Sequence, residues 1–160
     1  GLVAFPIKHK ELTIIPFATD ELIVAMNPSH PLAGKKNISI EELKNLEFIA
    51  FEKDIPTRKA TDEILRSADV QISIVMEFDN VETVKRALEI NAGVAIIPKN
   101  TVSNEAERKQ LVTCRLDNGQ HIRPLSLIHK KSRMLTPALR SFIEKMKLSP
   151  EDSKVNALLG

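Results

Sequence analysis

Between Glu47 and Pro98 the spacing of apolar residues switches repeatedly between a strand rhythm and a helix rhythm. That alternation restricts the fold more than any other feature of the chain. Glu47 to Phe51 is a short strand-like run. Thr57 to Ala68 carries Ala60, Ile64, Leu65 and Ala68 at helical spacing, with Pro56 marking the boundary. Ile72 to Phe78 alternates Ile72, Ile74, Met76 and Phe78 with Ser73, Val75 and Glu77, which predicts a strand. Asn80 is a favourable N-cap for a helix with Val81, Val84 and Leu88 on one face. Gly93 falls where the end of that helix wants a left-handed residue. Val94 to Ile97 is apolar throughout and stops at Pro98, as in a strand covered on both faces. Strand, helix, strand, helix, strand with short connections is the pattern of βαβ units on a parallel sheet. Right-handed crossovers then put the helices on the sheet faces. The predicted class is α/β.

The flanks read less regularly. Leu12 to Phe17 and Leu22 to Met26 predict two strands around Ala18-Thr19-Asp20-Glu21, and Asn27-Pro28-Ser29-His30-Pro31 stops the second. Ser39 and Glu42 have capping-box spacing, so a short helix should run to about Leu46 with Ile40, Leu43 and Leu46 inward. Thr101 to Lys109 suits a polar helix. Leu111 to Leu116 and Pro124 to His129 suit strands split by a turn near Asp117-Asn118-Gly119. Thr136-Pro137 is an N-cap and first-turn proline. The helix that follows has Leu139, Phe142, Ile143 and Met146 on one side. Ser149 to Gly160 reads as a loose tail.

Composition removes several function classes. Lys and Arg number 23 against 21 Asp and Glu, a formal charge of +2 with no basic cluster, and there is no Trp or Tyr. This segment is therefore not expected to grip nucleic acid by itself. No apolar run approaches a membrane span. Gly1 to Lys10 has no long apolar core of a secretory signal, and Cys114 is the lone cysteine, so the expected location is cytoplasmic. The four histidines have no paired spacing, and HExxH, CxxC, GxSxG and phosphate-loop motifs are missing. No metal, cofactor or enzymatic activity is expected. Cys114 reads as a small half-buried strand residue, His30 as a turn residue, and Asp62 and Glu63 as solvated helix charges.

Two helix starts carry the functional expectation. In an open parallel sheet the starts near Thr57 and Asn80 lie at the carboxyl edge of the strands, where small ligands bind. Backbone N–H groups and the helix dipole there favour anions. Thr57 and Asn80 are further hydrogen-bonding groups, although capping also accounts for them. Arg58 is either an added positive charge or solvated. Asp79 beside Asn80 would repel an anion unless it turns outward.

The residues then show a family resemblance. Asn27-Pro28-Ser29-His30-Pro31-Leu32-Ala33 resembles the "HPLA" turn of LysR-type transcriptional regulators, and Ile38 to Leu43 resembles the helix that follows it. Arg58 sits where many members have arginine, and Asp79-Asn80 matches a "D-S/N" pair. Ala92-Gly93-Val94-Ala95-Ile96-Ile97-Pro98 resembles the "AGLGIALLP" signature. Arg123-Pro124-Leu125-Ser126-Leu127 and Leu135-Thr136-Pro137-Ala138 resemble a late strand and helix start. The seven motifs occur in order over roughly Gly1 to Leu148.

The resemblance implies a two-lobed fold similar to type 2 periplasmic binding proteins, with a ligand in the cleft. Residues 18–122 would form a complete second lobe. Residues 1–17 and 123–148 would form a partial first lobe, and 149–160 a tail. Carried over by position, the ligand-binding residues would be Ala4, Phe5, Thr19, Asp20, Ile55, Pro56, Thr57, Arg58, Asp79, Asn80 and Pro98. The implied function is the effector-binding domain of a regulator that senses a small, anionic metabolite. The implied partners are that effector and a second copy of the chain, in a homodimer or higher homo-oligomer. The surfaces would include helices Thr57 to Ala68 and Val81 to Ile90. DNA would be reached only through a helix-turn-helix domain outside this chain. A solute-binding protein of transport is the alternative on the same fold. An enzyme using Asp20 or Asp79 is a third reading without a visible partner group. Asp69 stands where the family more often has glycine, which puts the local turn in question. Because the first lobe is partial, the apolar faces of Leu2-Val3 and of the last helix are expected to lack partners, leading to dimerisation or partial disorder.

Overall fold

The computed structural model describes residues 1–4, 9–117 and 121–147. The chain divides into two compact units: Gly1–Asp20 together with the chain from Ile122 onward, and Glu21–His121. Phe5, the turn at Asn118-Gly119 and the tail from Ser149 lie outside the described residues.

The larger unit contains the expected βαβ units. Strand β4 (Glu47–Phe51) leads through helix α1 (Pro56–Ser67) to strand β5 (Ser73–Phe78). Helix α2 (Val81–Glu89) then returns the chain to strand β6 (Val94–Pro98) on the other side of β4. Strand β4 is parallel to both β5 and β6. The sheet is mixed rather than wholly parallel. The second half of strand β2 (Leu12–Met26) pairs antiparallel with β6 and with β7 (Val112–Leu116), and short β3 (Asn37–Ile38) runs parallel to β7.

The two strands expected around residues 18–21 are one continuous strand. Thr19, Asp20 and Glu21 supply no turn geometry, and residues that tolerate extended backbone simply carry the strand through. The polar stretch near Thr101 is also shorter than expected, a turn of 3-10 helix followed by α3 (Ser103–Glu107). The helix expected after Ser39 is a 3-10 turn, Ile40–Leu43, with the capping box formed and Ile40 and Leu43 buried. Leu46 is only half-buried.

Strand alternation builds a core on each face of this sheet. Ile23, Ala25, Ile49, Phe51, Ala95 and Ile97 join Val84, Ala87 and Leu88 of α2 in one cluster. Their neighbours along the strands, including Val24, Phe48, Ala50 and Ile96, are equally buried on the opposite face. Helix α1 packs against β4 and β6. Each fully buried aliphatic side chain contributes about 1.5–3 kcal/mol relative to exposure, so these few residues dominate the unit's stability.

Gly93 does not end α2. Asn91 does, with φ at +59°; its N–H donates to the Leu88 carbonyl, and Ala92 N–H reaches back to the Ala87 carbonyl. That is a Schellman ending. Gly93 has φ at +150° for a different reason: the Glu47 carbonyl oxygen occupies the place a Cβ would take. Helix α1 ends in the same way on Asp69, φ +54°, with Val70 N–H bonded to the Leu65 carbonyl at 2.9 Å. The turn therefore survives without the family's glycine, because a short polar side chain tolerates the left-handed region.

The proline turn is pinned from several directions. Asn27 accepts from Ser29 N–H at 2.8 Å, and its own amide donates to the Glu89 carbonyl at 2.7 Å, at the end of α2. Cys114 is buried rather than half-buried. Its thiol donates to the Lys35 carbonyl at 3.0 Å, and burial pushes the thiol pKa up, which disfavours the thiolate.

Lys85 of α2 is buried beside Glu82 and Glu105, with Nζ to carboxylate distances of 2.8 and 2.9 Å. Burial alone lowers the Lys85 pKa, but the hydrogen bonds to Glu82 and Glu105 outweigh it and raise the net value. The hydrogen bond from Lys85 holds the Glu105 carboxyl below its ordinary 4.5, with burial opposing. The unfolded chain then binds more protons in acid than the folded one. Glu105 thus stabilises the fold above its unfolded pKa, and this is lost as pH falls through the lower folded value. Between about pH 5 and pH 3 the unfolding midpoint should fall more steeply for the natural chain than for Glu105→Gln. Equal acid slopes in denaturant titrations would show that this pair is not linked to folding.

The smaller unit pairs β1 (Leu2–Ala4) antiparallel with β8 (Ile122–Lys130), which lies beside the first half of β2. Helix α4 (Pro137–Lys147) is capped by Thr136, whose hydroxyl accepts from Leu139 N–H at 3.3 Å. Ile143 is buried, but Phe142, Leu139 and Leu2 are exposed. They line an apolar cavity of about 450 Å³ with Leu12, Leu127 and Ile143. The incompletely covered apolar faces expected for Leu2-Val3 and the last helix are present, at Leu2, Leu139 and Phe142.

Candidate functional site

The candidate site is built on the carboxyl ends of β4 and β5. Phe51 and Phe78 end these strands directly opposite one another, and Glu52 N–H donates to the Phe78 carbonyl at 2.9 Å. The strands are parallel, so the helices that follow both start at this rim. The N-cap of α1 is Ile55, which offers no side-chain cap, and Pro56 takes the first helical position. Thr57 is inside the helix and buried, not at its cap. Ile55, Phe78 and Val81 are partly buried against the core cluster, so the rim has an apolar floor.

Asn80 caps α2 as expected. Its Oδ1 accepts from Thr83 N–H and Thr83 Oγ1, both at 2.9 Å, and its amide donates to Asp79 Oδ1 at 2.6 Å. Both Asp79 and Asn80 are exposed. The Asn80 acceptor is thus committed to the helix. Its N–H₂ is the group that an anion can take over from Asp79.

Arg58 is neither solvated nor aimed outward. Its side chain is 8% exposed, Nε donates to Asp62 at 2.8 Å, and Nη1 donates to the Phe51 carbonyl at 2.8 Å and to Glu77. Burial tends to lower its pKa, but the hydrogen bonds to Glu77 and Asp62 outweigh that and raise the net value. The guanidinium locks the start of α1 to β4 and β5. Asp62, read from sequence as a solvated charge, is exposed but paired. The four-residue spacing of Arg58 and Asp62 was legible in the sequence. The part played by Glu77, on an edge strand, had no local signal.

Pro98 lies at the same carboxyl end, on β6, buried and opposite Leu22. Ile55, Pro56, Thr57, Arg58, Asp79, Asn80 and Pro98 therefore all belong to one rim of the larger unit. Ala4, Thr19 and Asp20 belong to the smaller unit. There Ala4 pairs with Leu125, and buried Asp20 accepts from Arg123 at 3.3 Å.

A doubly wound α/β unit with two helix starts on one strand rim is the architecture of a small-molecule binding domain. The chain belongs to the LysR substrate binding domain family, which matches residues 1–148. Among curated proteins it is 32% identical over 141 residues to a probable RuBisCO transcriptional regulator of Cyanophora paradoxa, covering 86% of this chain and 44% of that protein. Among solved structures it is similar to the CcmR regulatory domain of Synechocystis PCC6803, solved in complex with 2-PG. The TM-score there is 0.83 at 26% identity, with 91% of this chain and 70% of that one covered. The effector binding domain of QuiR, solved in complex with shikimate, shares the fold with a TM-score of 0.80 at 18% identity, covering 95% of this chain and 72% of that one. The fold is the two-lobed one of LysR regulatory domains.

This chain spans less than half the length of the curated relatives it matches. Those relatives are transcriptional regulators, not enzymes, and they do not favour the transport alternative. Among the described residues, no helix is long and apolar enough to cross a membrane.

Proposed function

We propose that this chain is the effector-sensing part of a LysR-type regulator and that it binds a small anionic metabolite at the rim shared by α1 and α2. The observation that carries the reading is the convergence of two helix N-termini on the paired ends of β4 and β5. Backbone dipoles, the Asn80 amide and an apolar floor suit an anion with a compact carbon portion. Thr57 and Asn80 would hold the ligand, Ile55 and Pro56 would wall it, and Arg58 would position the rim. Asp79 would release Asn80 on binding. The assignment of Ala4, Phe5, Thr19, Asp20 and Pro98 to the ligand rests on the family resemblance. Effector binding would alter regulation by favouring one of two conformations through differential affinity. DNA contact would fall to a helix-turn-helix domain beyond residues 1–160, in the cytoplasm.

The complex of CcmR with 2-PG makes 2-PG the first probe. Asn80→Asp keeps a good N-cap but replaces the amide donor with a carboxylate. By calorimetric titration it should weaken 2-PG binding about tenfold or more while leaving thermal stability nearly unchanged. Unchanged affinity would remove the rim from the site. Absence of heat with both 2-PG and inorganic phosphate would refute the anion reading.

A second copy of the chain is the other proposed partner. Strand β5 ends the sheet, pairing with β4 alone among the described residues, and Ile74, Val75 and Met76 are exposed on it. A groove beside it, between α1 and the start of β5, includes Leu65, Val70 and Ile72. An unpaired apolar edge continuous with a groove suits self-association.

A further inference from the structure

The opposite end of the same sheet gathers positive charge. Strand β3 runs beside β7 with Asn37 opposite Arg115, and β7 pairs with β2 with Val24 opposite Cys114. That antiparallel register puts Ile23 opposite Arg115. Residues opposite in register project to the same face, so Asn37, Arg115 and Ile23 form a row, which Thr113 continues two positions along β7. Arg115 N–H donates to the Lys36 carbonyl at 3.0 Å, which brings Lys36 alongside. Lys99, just past β6, comes from the other side. Together these six residues line a cavity of about 350 Å³.

Two of these cations share one carboxylate there. Glu21 lies 3.4 Å from Arg115 Nε and 3.7 Å from Lys99 Nζ. Its side chain is 14% exposed, while those of Lys99 and Arg115 are 53% and 58% exposed. The carboxylate therefore sits beneath the two cations and leaves their outer N–H groups facing water. Among the described residues, no carboxylate pairs with Lys36. Asp117, the next acidic residue along the chain, is exposed beyond the end of β7.

We infer that this cavity is a second binding site, for a small phosphate- or sulfate-bearing anion. The guanidinium fork matches a tetrahedral oxyanion in two-point fashion. Lys36 and Lys99 flank it as point charges, and the Asn37 amide and Thr113 hydroxyl supply directional hydrogen bonds. Strand β7 is three strands away from β4, about 14 Å at ordinary strand spacing. A small anion here does not touch the starts of α1 and α2, which lie across the sheet at β4 and β5, so the inference stands apart from the proposed function.

The test uses the chain of residues 1–160 and inorganic phosphate as probe, with chloride at matched ionic strength as the reference. The quantity read is the rise in Tm that phosphate causes. The natural chain and Asn80→Asp should both show it, because Asn80 lies at the distant β4–β5 end of the sheet. Arg115→Gln and Lys36→Gln should each lose at least half of it, whereas Lys59→Gln, which removes an exposed charge on α1, should keep it. Glu21→Gln removes the competing carboxylate and should strengthen phosphate binding several-fold. An absent rise, a rise that disappears in Asn80→Asp but persists in Arg115→Gln, or a weaker response in Glu21→Gln would each overturn the assignment. Because the increment rather than the absolute Tm is compared, a variant with a less stable fold still reports. If Arg115→Gln does not fold, Arg115→Lys takes its place and should lower the increment by losing the fork.

Discussion

Gly93→Ala is expected to cost about 4 kcal/mol and roughly 10 °C in Tm. Two independent penalties combine. At φ +150° an L side chain is strained, and a Cβ built there would lie 2.4 Å from the Glu47 carbonyl oxygen. That oxygen belongs to the backbone at the start of β4, so it cannot swing aside as a flexible side chain would. The contact explains why β4 and β6 approach closely at this point, where Phe48 stands opposite Val94. Gly34 provides the control. A Cβ there has nothing within 4 Å, and Gly34→Ala should change stability by less than about 0.5 kcal/mol. With no Trp or Tyr in the chain, unfolding is best followed by far-ultraviolet circular dichroism in denaturant. A Gly93→Ala midpoint within about 1 kcal/mol of the natural chain would mean that the close approach is not a feature of the folded protein.

Met76→Lys is expected to convert a self-associated chain into monomer. Ile74 pairs with Phe48 and Met76 with Ile49 across a bulge at Val75, so this edge strand presents apolar side chains on both of its faces. A lysine on such an edge keeps its ammonium hydrated and blocks strand-to-strand docking. Weakening of the dimer by roughly 100-fold, about 2.7 kcal/mol, should be visible by sedimentation velocity. Phe142→Lys tests the rival surface, the apolar cavity beside α4. If Phe142→Lys produces monomer and Met76→Lys does not, the association belongs to the smaller unit and the β5 proposal fails.

Much of the larger unit was legible because its signals are local and agree with one another. Helix spacing, the Asn80 cap and the unbroken apolar run Val94 to Ile97 all indicated the same elements. The strand through residues 18–21 was not legible, since the polar run Thr19-Asp20-Glu21 resembles a turn unless the strands beside it are known. Nor was the difference between Asn91 and Gly93. Sequence identifies a residue that can take positive φ, but only the packing of β4 reveals which one must. Thr57 and Asn80 fall at the carboxyl rim of the strands, as expected, whereas the internal pairing of Arg58 was not legible, because its partners Phe51 and Glu77 come from strands that the tertiary fold brings to it. The cavity at Lys36, Lys99 and Arg115 was missed for the same reason: those residues are scattered over eighty positions, and strand register alone joins them.

The double pairing of Arg58 also bears on how fast a ligand arrives. Asp62 and Glu77 outweigh its single charge, and Asp79 adds another negative one at the α2 start, for a local sum of −2. The anion proposed for this rim would therefore meet a weakly repulsive field within about a Debye length. Its capture would be slower than plain diffusion and would speed up as salt screens those carboxylates. Discrimination develops only in the last few ångströms, where oriented peptide groups come within reach.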